Sequence, residues 1–206
     1  MRVSDSIRLH YPQYWGFETY PADRACAVSK IAAEWGVFSN FARTPLVVDG
    51  VPFDTSERVF QTMKFTDPGA RRAVYGKKGN PKMTAKHWQK EGFLRPDWAE
   101  HDVDAMKFCL MEKYRQSAAF RAELARSGDR PIVEDQTTFP RRTPDAWGVK
   151  RTPDGTSFSG PNLLGRLLME LRAGGGALAY TRPLPDGMAS FRDLRTQAIE
   201  SIAHLR

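Results

Sequence analysis

The chain has 206 residues, of which 41% are hydrophobic and 27% charged, and its formal net charge is +7. This is the composition of a folded domain and excludes a disordered chain, while no apolar run approaches the roughly 20 residues that span a bilayer. The excess of Lys and Arg is spread along the chain, which suits an anionic ligand or nucleic acid.

The N-terminal stretch MRVSDSIRLHYPQYW has no continuous apolar segment, so no signal peptide is expected. Two cysteines, Cys26 and Cys109, fit neither a disulfide framework nor a zinc spacing. Both features lead to the expectation of a reducing cytoplasm, with no metal.

Residues 34–53 read as short strands and turns. EWGVFSNF is aromatic-rich; Trp35 and Phe38 there suit either base stacking or a core, and Asn40 suits a sugar or base edge. PLVVDGVPF contains two apolar runs joined by Asp49-Gly50, a hairpin signal. Asp54, Thr55 and Ser56 supply cap chemistry for an amphipathic helix over 56–65, which Pro68-Gly69 ends. On that helix Glu57, Gln61 and Lys64 occupy one face, as either a solvated stripe or the wall of a pocket.

Further helices are predicted over 69–75, 81–91, 97–115 and 117–126, with a Gly/Lys-rich loop, GKKGNPK, between the first two. The longest has Val103, Met106, Leu110 and Met111 at helical spacing, and its other side is expected to carry charge into solvent. His87 and His101 read as helix-surface residues. PIVED reads as a short buried strand, and residues 136–159 as one long loop of the kind that is functional or mobile.

In that loop TPDAWGVK sets Asp145 near Trp147 and Gly148, a carboxylate beside a flat aromatic surface. SGPNLLG opens the next helix, either as a plain cap or with exposed N–H groups for an anion. Its glycine spacing is neither a Walker nor a Rossmann loop. A last amphipathic helix is predicted over 189–206.

Together, GVFSNF, VDGVPFDTSERVFQTMKF, LARSGDRPIVED, DAWGVK and GPNLLGRLLMELR, in that order, resemble the YbiA-like NADAR family (NAD- and ADP-ribose-associated proteins) over roughly residues 34–172. The resemblance implies a compact, helix-dominated α+β domain over 34–173, with an N-terminal extension, 1–33, and a linker and C-terminal helix, 174–206. It implies an N-glycosidase without cofactor that cleaves the bond between a base nitrogen and the anomeric carbon of a phosphorylated ribose. The foremost expected substrate is ADP-ribose on guanine in DNA or RNA. The alternatives are ribosylaminopyrimidine phosphates of early riboflavin synthesis and a non-catalytic ADP-ribose or NAD module.

By motif, Glu57 matches the family's acid, with Gln61 and Lys64 as its amide and amine. Asp145, Trp147 and Gly148 match the Asp/Trp-Gly loop, Asn162 the G-x-N-x-L-G turn, Asn40 the F-S-N-F turn, and Trp98 an Asp/Trp pair. Departures are Arg58, where the family has His, and Lys150, where it has Gly; both add positive charge where a phosphate would lie. Glu57 is then the first choice for carboxylate or base, and Asp145 the second candidate, as acid or ribose-binding group. Trp35 or Trp147 would stack on the base, and Arg58 is counted among the substrate-binding residues. Lys64 would either bind phosphate or attack the opened sugar to form an imine.

Overall fold

The computed structural model describes residues 3–197, and it is α+β with helices dominant and only short strands. Contacts divide the chain into two compact units, Met1–Ala42 with Ala118–Thr181, and Arg43–Ser117 with Arg182–Arg206.

The first unit holds α1 (Val3–His10), β1 (Glu18–Pro21), β2 (Cys26–Val28), α6 (Ala118–Arg126), β5 (Ile132–Glu134), β6 (Lys150–Arg151), β7 (Ser157–Gly160) and α7 (Leu163–Ala173). β7 pairs antiparallel with both β1 and β6, and β2 runs parallel to β5. The predicted long loop is therefore interrupted by a hairpin: Thr152 Oγ1 bonds both Asp154 and the carbonyl of Ser157, and so closes the turn between β6 and β7. The buried core of this sheet is Tyr20, Val133, Val149 and Phe158. α7 lies directly on β5. A Cβ on Gly165 would meet the carbonyl oxygen of Ile132 at 2.1 Å, so only glycine permits this approach.

The second unit holds β3 (Leu46–Val48), β4 (Val51–Phe53), α2 (Ser56–Met63), α3 (Pro68–Gly76), α4 (Pro81–Lys90) and α5 (Trp98–Gln116). The β3–β4 hairpin forms as predicted, with Asp49 at φ 53° and Gly50 at φ 76° as a two-residue turn needs. α2 packs against α3, α4 and α5, and Phe65, Ala70, Val74 and Ala85 form a buried cluster. Asp49 accepts from Ser190 Oγ (2.9 Å) and the Phe191 amide (3.0 Å), while Arg71 pairs with Asp193 at 2.9 Å. The C-terminal segment thus docks on this unit. It makes a 3-10 turn at Arg192–Leu194 and a helical turn at 195–197, later than the predicted start at 189; the remainder of the predicted helix lies outside the described residues.

α5 departs from its predicted pattern. Its charged side is not solvated: Asp102, Asp104, Lys107 and Lys113 are all buried. A buried charge must be paired and hydrogen-bonded. Lys107 reaches Asp104 at 3.0 Å, and the other oxygen of Asp104 accepts the Arg182 amide at 2.9 Å. Burial lowers the Lys113 pKa to about 7. His101, expected at the surface, is half-buried, whereas His87 is exposed.

Among the described residues no helix is long and apolar enough to cross a membrane, and no group of His, Cys, Asp and Glu could hold a metal ion.

Candidate active site

α2 begins where the sequence places it. Thr55 is extended and its hydroxyl accepts the Arg58 amide at 3.2 Å, capping the helix. Every residue from Ser56 to Met63 is buried, so Glu57 and Gln61 do not form a solvated stripe. Gln61 Nε2 donates to Glu57 Oε1 at 2.8 Å. Gln61 Oε1 is buried without a hydrogen-bond partner, an acceptor left open beside the carboxyl.

Burial raises the Glu57 pKa above the ordinary carboxylate range; the Gln61 hydrogen bond and the charges of Lys82 and Lys64 offset this in part. Lys64 caps the C-terminus of α2 and is partly exposed. Its Nζ stands 5.5 Å from the ring centroids of both Phe60 and Trp98, which meet edge to face at 5.2 Å. Burial lowers the Lys64 pKa to about 8, Glu57 and Asp102 oppose that shift, and Lys82 adds to it. The second unit thus brings together Glu57, Gln61, Lys64 and Trp98. At pH 8 about half of such an amine is neutral, and a neutral amine is a nucleophile.

Phe60, Asp102 and Lys82 belong to this arrangement and escape the sequence reading. Phe60 was within reach of it, since it stands four residues before Lys64 and so on the same side of the helix. Lys82, in the first turn of α4, had no such signal: only the packing of α4 on α2 brings its charge near.

Arg58 points elsewhere. Its Nε donates to Asp54 at 2.7 Å and its Nη2 to the same carboxylate at 3.2 Å. Nη1 donates to the carbonyls of Val74 (2.7 Å), Tyr75 (3.3 Å) and Lys77 (3.0 Å), and Nη2 to Gly79 (3.1 Å). The last carbonyls of a helix lack intrahelical partners, so Arg58 caps the C-terminus of α3 and folds the following loop around its own fork. A guanidinium engaged in this way has no donor left over for a substrate phosphate.

The remaining predicted residues lie in the first unit. Asp145 Oδ1 accepts from Gln136 Nε2 (2.6 Å) and from the Trp147 amide (3.0 Å), and the Asp145 amide donates to Gln136 Oε1 (2.9 Å). Asp145 therefore ties the Trp147-Gly148 turn to residue 136. The carbonyls of Ala146, Trp147 and Gly148 accept the amides of Leu163, Leu164 and Asn162, each at 3.1 Å. Of the two readings of SGPNLLG, a plain cap or a cradle of open N–H groups, the geometry gives the cap: those donors are filled by protein carbonyls. Asn162 is buried in the left-handed conformation (φ 52°). Its side chain mimics a peptide, accepting from the Glu134 amide (3.1 Å) and donating to the Ile132 carbonyl (2.9 Å).

Trp35 is buried, stacked on Phe38 at 5.6 Å, with the guanidinium carbons of Arg126 and Arg130 at 3.8 and 4.6 Å from its ring centroid. Asn40 is buried in the same unit. Lys150 Nζ donates to the Phe139 carbonyl at 2.7 Å and so tethers the loop before Asp145.

Residues 28–174 match the family model described as NADAR domain. The chain is 36% identical over 141 residues to N-glycosidase YbiA of Escherichia coli (strain K12), covering 68% of this chain and 81% of that protein. It is 28% identical over 138 residues to Riboflavin biosynthesis protein VVA0006 of Vibrio vulnificus, covering 66% of this chain and 35% of that protein. The NMR structure of E. coli YbiA superposes with a TM-score of 0.58 at 31% identity, over 74% of this chain and 84% of that one.

Proposed function

The chain belongs to the NADAR domain family, and from that membership we propose that it is an N-glycosidase cleaving the bond between a base nitrogen and the anomeric carbon of a phosphorylated ribose. The observation that carries the proposal is the pairing of buried Glu57 with Lys64, whose pKa is lowered to about 8. Binding alone requires neither a carboxyl of raised pKa nor an amine of lowered pKa; N-glycosidic cleavage can use the one as acid–base group and the other as nucleophile.

In this reading the neutral Lys64 amine attacks C1′ as the N–C1′ bond breaks, and the bond's electron pair leaves with the base nitrogen. Glu57, in the protonated form that burial favours, gives that nitrogen its proton. The sugar–lysine adduct opens to a protonated imine, water adds to its carbon with Glu57 now as base, and the amine departs. One water is consumed and the free sugar is released. The open Gln61 Oε1 accepts a ribose hydroxyl, and the Phe60–Trp98 edge keeps the amine away from bulk water.

ADP-ribose on guanine in nucleic acid is the leading substrate, favoured by the net charge of +7. Ribosylaminopyrimidine phosphates are the second reading, favoured by the similarity to the riboflavin biosynthesis protein. Incubation with guanine-ADP-ribosylated DNA and, separately, with the ribosylaminopyrimidine phosphates, followed by mass spectrometry of released products, decides between them. Release from neither would overturn the glycosidase reading.

Two variants test the amine. Borohydride added during turnover is expected to fix sugar covalently on the parent protein and not on Lys64→Ala. An active enzyme that yields no adduct would leave water as the nucleophile. Lys82→Ala removes a positive charge that disfavours the Lys64 ammonium, so the Lys64 pKa rises and the ascending limb of the kcat/KM profile moves to higher pH. Because Lys82 is exposed and screened, turnover at pH 7 is expected to fall only roughly two- to threefold. An unmoved limb would detach Lys82 from the site.

A further inference from the structure

We propose that Asp102, on α5, is the positioning residue of the Lys64 amine. Its buried carboxylate holds the nitrogen at the Phe60–Trp98 edge, and balances the positive charge carried there as ammonium and again as protonated imine.

Helical spacing and two contacts between α5 and α2 place it. Trp98 and Cys109 stand four residues before and seven residues after Asp102, so all three share one side of α5. Both outer residues touch α2: Trp98 meets Phe60 edge to face at 5.2 Å, and Cys109 Sγ reaches Met63 Sδ at 3.8 Å. Asp102 lies between these contacts and is only 2% exposed, so it is enclosed on the side that α2 covers. Asp104 is the contrast. Two residues on, it looks the other way, to Lys107 at 3.0 Å and the Arg182 amide at 2.9 Å.

The charges that act on Lys64 come from three helices: Glu57 on its own, Lys82 on α4 and Asp102 on α5. Arg95 is also near, since its amide donates to the Lys64 carbonyl at 2.9 Å, but its guanidinium is taken up by Asp97 at 2.6 and 2.9 Å. Of the two carboxylates, Glu57 gives up its proton and regains it during the reaction, so its charge comes and goes. Asp102 has no such duty. Little water screens a buried carboxylate, whereas exposed Lys82 is screened.

The role cuts two ways. Asp102 favours the ammonium, so less of the amine is neutral at a given pH. It favours the protonated imine by the same interaction and so speeds the step that passes through it. As a hold on the amine the role stands apart from the glycosidase reading; as a contribution to turnover it rests on it.

Acetic anhydride labels neutral amines, and Lys64 is partly exposed. Labelling the full chain over a pH series, read at Lys64 by peptide mass spectrometry, gives the titration midpoint without turnover. Asp102→Asn is expected to lower that midpoint by roughly one pH unit, and Asp102→Glu, which keeps the charge, to leave it at the parental value. Adding Lys82→Ala to Asp102→Asn brings the midpoint back up, because the two charges act in opposite senses. During turnover the ascending limb of the kcat/KM profile follows the midpoint. On the plateau kcat falls about tenfold in Asp102→Asn, the equivalent of about one pH unit of charge interaction at the imine. In the parent protein, where no substitution can disturb the fold, the midpoint rises with ionic strength as Lys82 is screened and Asp102 is not.

A midpoint unmoved or raised in Asp102→Asn, Asp102→Glu behaving as Asp102→Asn does, or a parental midpoint that falls with salt would each overturn the proposal. The expected shifts in a protein that cleaves neither substrate would sink the glycosidase reading and keep the hold of Asp102 on Lys64. Cleavage with a midpoint indifferent to Asp102 would do the reverse.

Discussion

Glu57→Gln folds as the parent does and loses on the order of a hundredfold or more in turnover, the contribution expected of a positioned acid–base group. The substitution is nearly isosteric, and the new amide oxygen still accepts from Gln61 Nε2, so the 2.8 Å contact has a counterpart. Only the transferable proton is removed. Stability provides the control. The folded-state pKa of Glu57 is raised, so the folded protein favours the protonated form, and ionisation costs stability as pH rises from the unfolded pKa through the folded one. Glutamine removes that cost, and at neutral pH the melting temperature is expected to stay level or rise. Near-normal turnover would remove Glu57 from the chemistry, whereas a large fall in melting temperature would recast it as a structural residue.

Arg58→Ala has the opposite signature, acting on stability. It strips partners from the Asp54 carboxylate and from four carbonyls between Val74 and Gly79. The Asp54 carboxylate left behind is half-exposed and regains water, but depriving buried carbonyls of their donor costs about 1–3 kcal/mol, and the orphaned helix end adds to this. Urea unfolding should show a lower midpoint with an unchanged slope, and for a chain of this size the melting temperature should drop by roughly 10 °C. Arg58→Lys recovers little, because one ammonium cannot span a carboxylate and four carbonyls at once. A parental midpoint in Arg58→Ala would show that the loop holds itself.

These two neighbours on α2 show how far the sequence could be read. The face shared by Glu57, Gln61 and Lys64 follows from helical spacing, and the β3–β4 hairpin from Asp49-Gly50; both depend on residues a few positions apart. The carbonyl partners of Arg58 lie 16–21 residues away, at the end of α3 and in the loop after it, and no periodicity encodes them. The Arg126 guanidinium over Trp35 and the fork between Asp145 and Gln136 are hidden in the same way. The charged side of α5 was misplaced for a different reason. Pattern reading sends charge to solvent, and here Asp104 and Lys107 neutralise each other inside. The cap on α7 shows a third limit, since its N–H groups look open until the carbonyls of residues 146–148 are seen to fill them.

The unpaired oxygen of Gln61 has a consequence for what the site presents to a visitor. While Glu57 is ionised, the amide must turn its NH₂ toward the carboxylate, and it offers an incoming molecule only a lone pair. Once Glu57 takes up a proton, its O–H donates to Gln61 Oε1 if the amide rotates by half a turn, and the buried end left without a partner becomes a donor. One proton on a carboxyl thereby inverts the polarity of a group that carries no charge itself. Bound before cleavage and after it, the same sugar hydroxyl would meet two different amides.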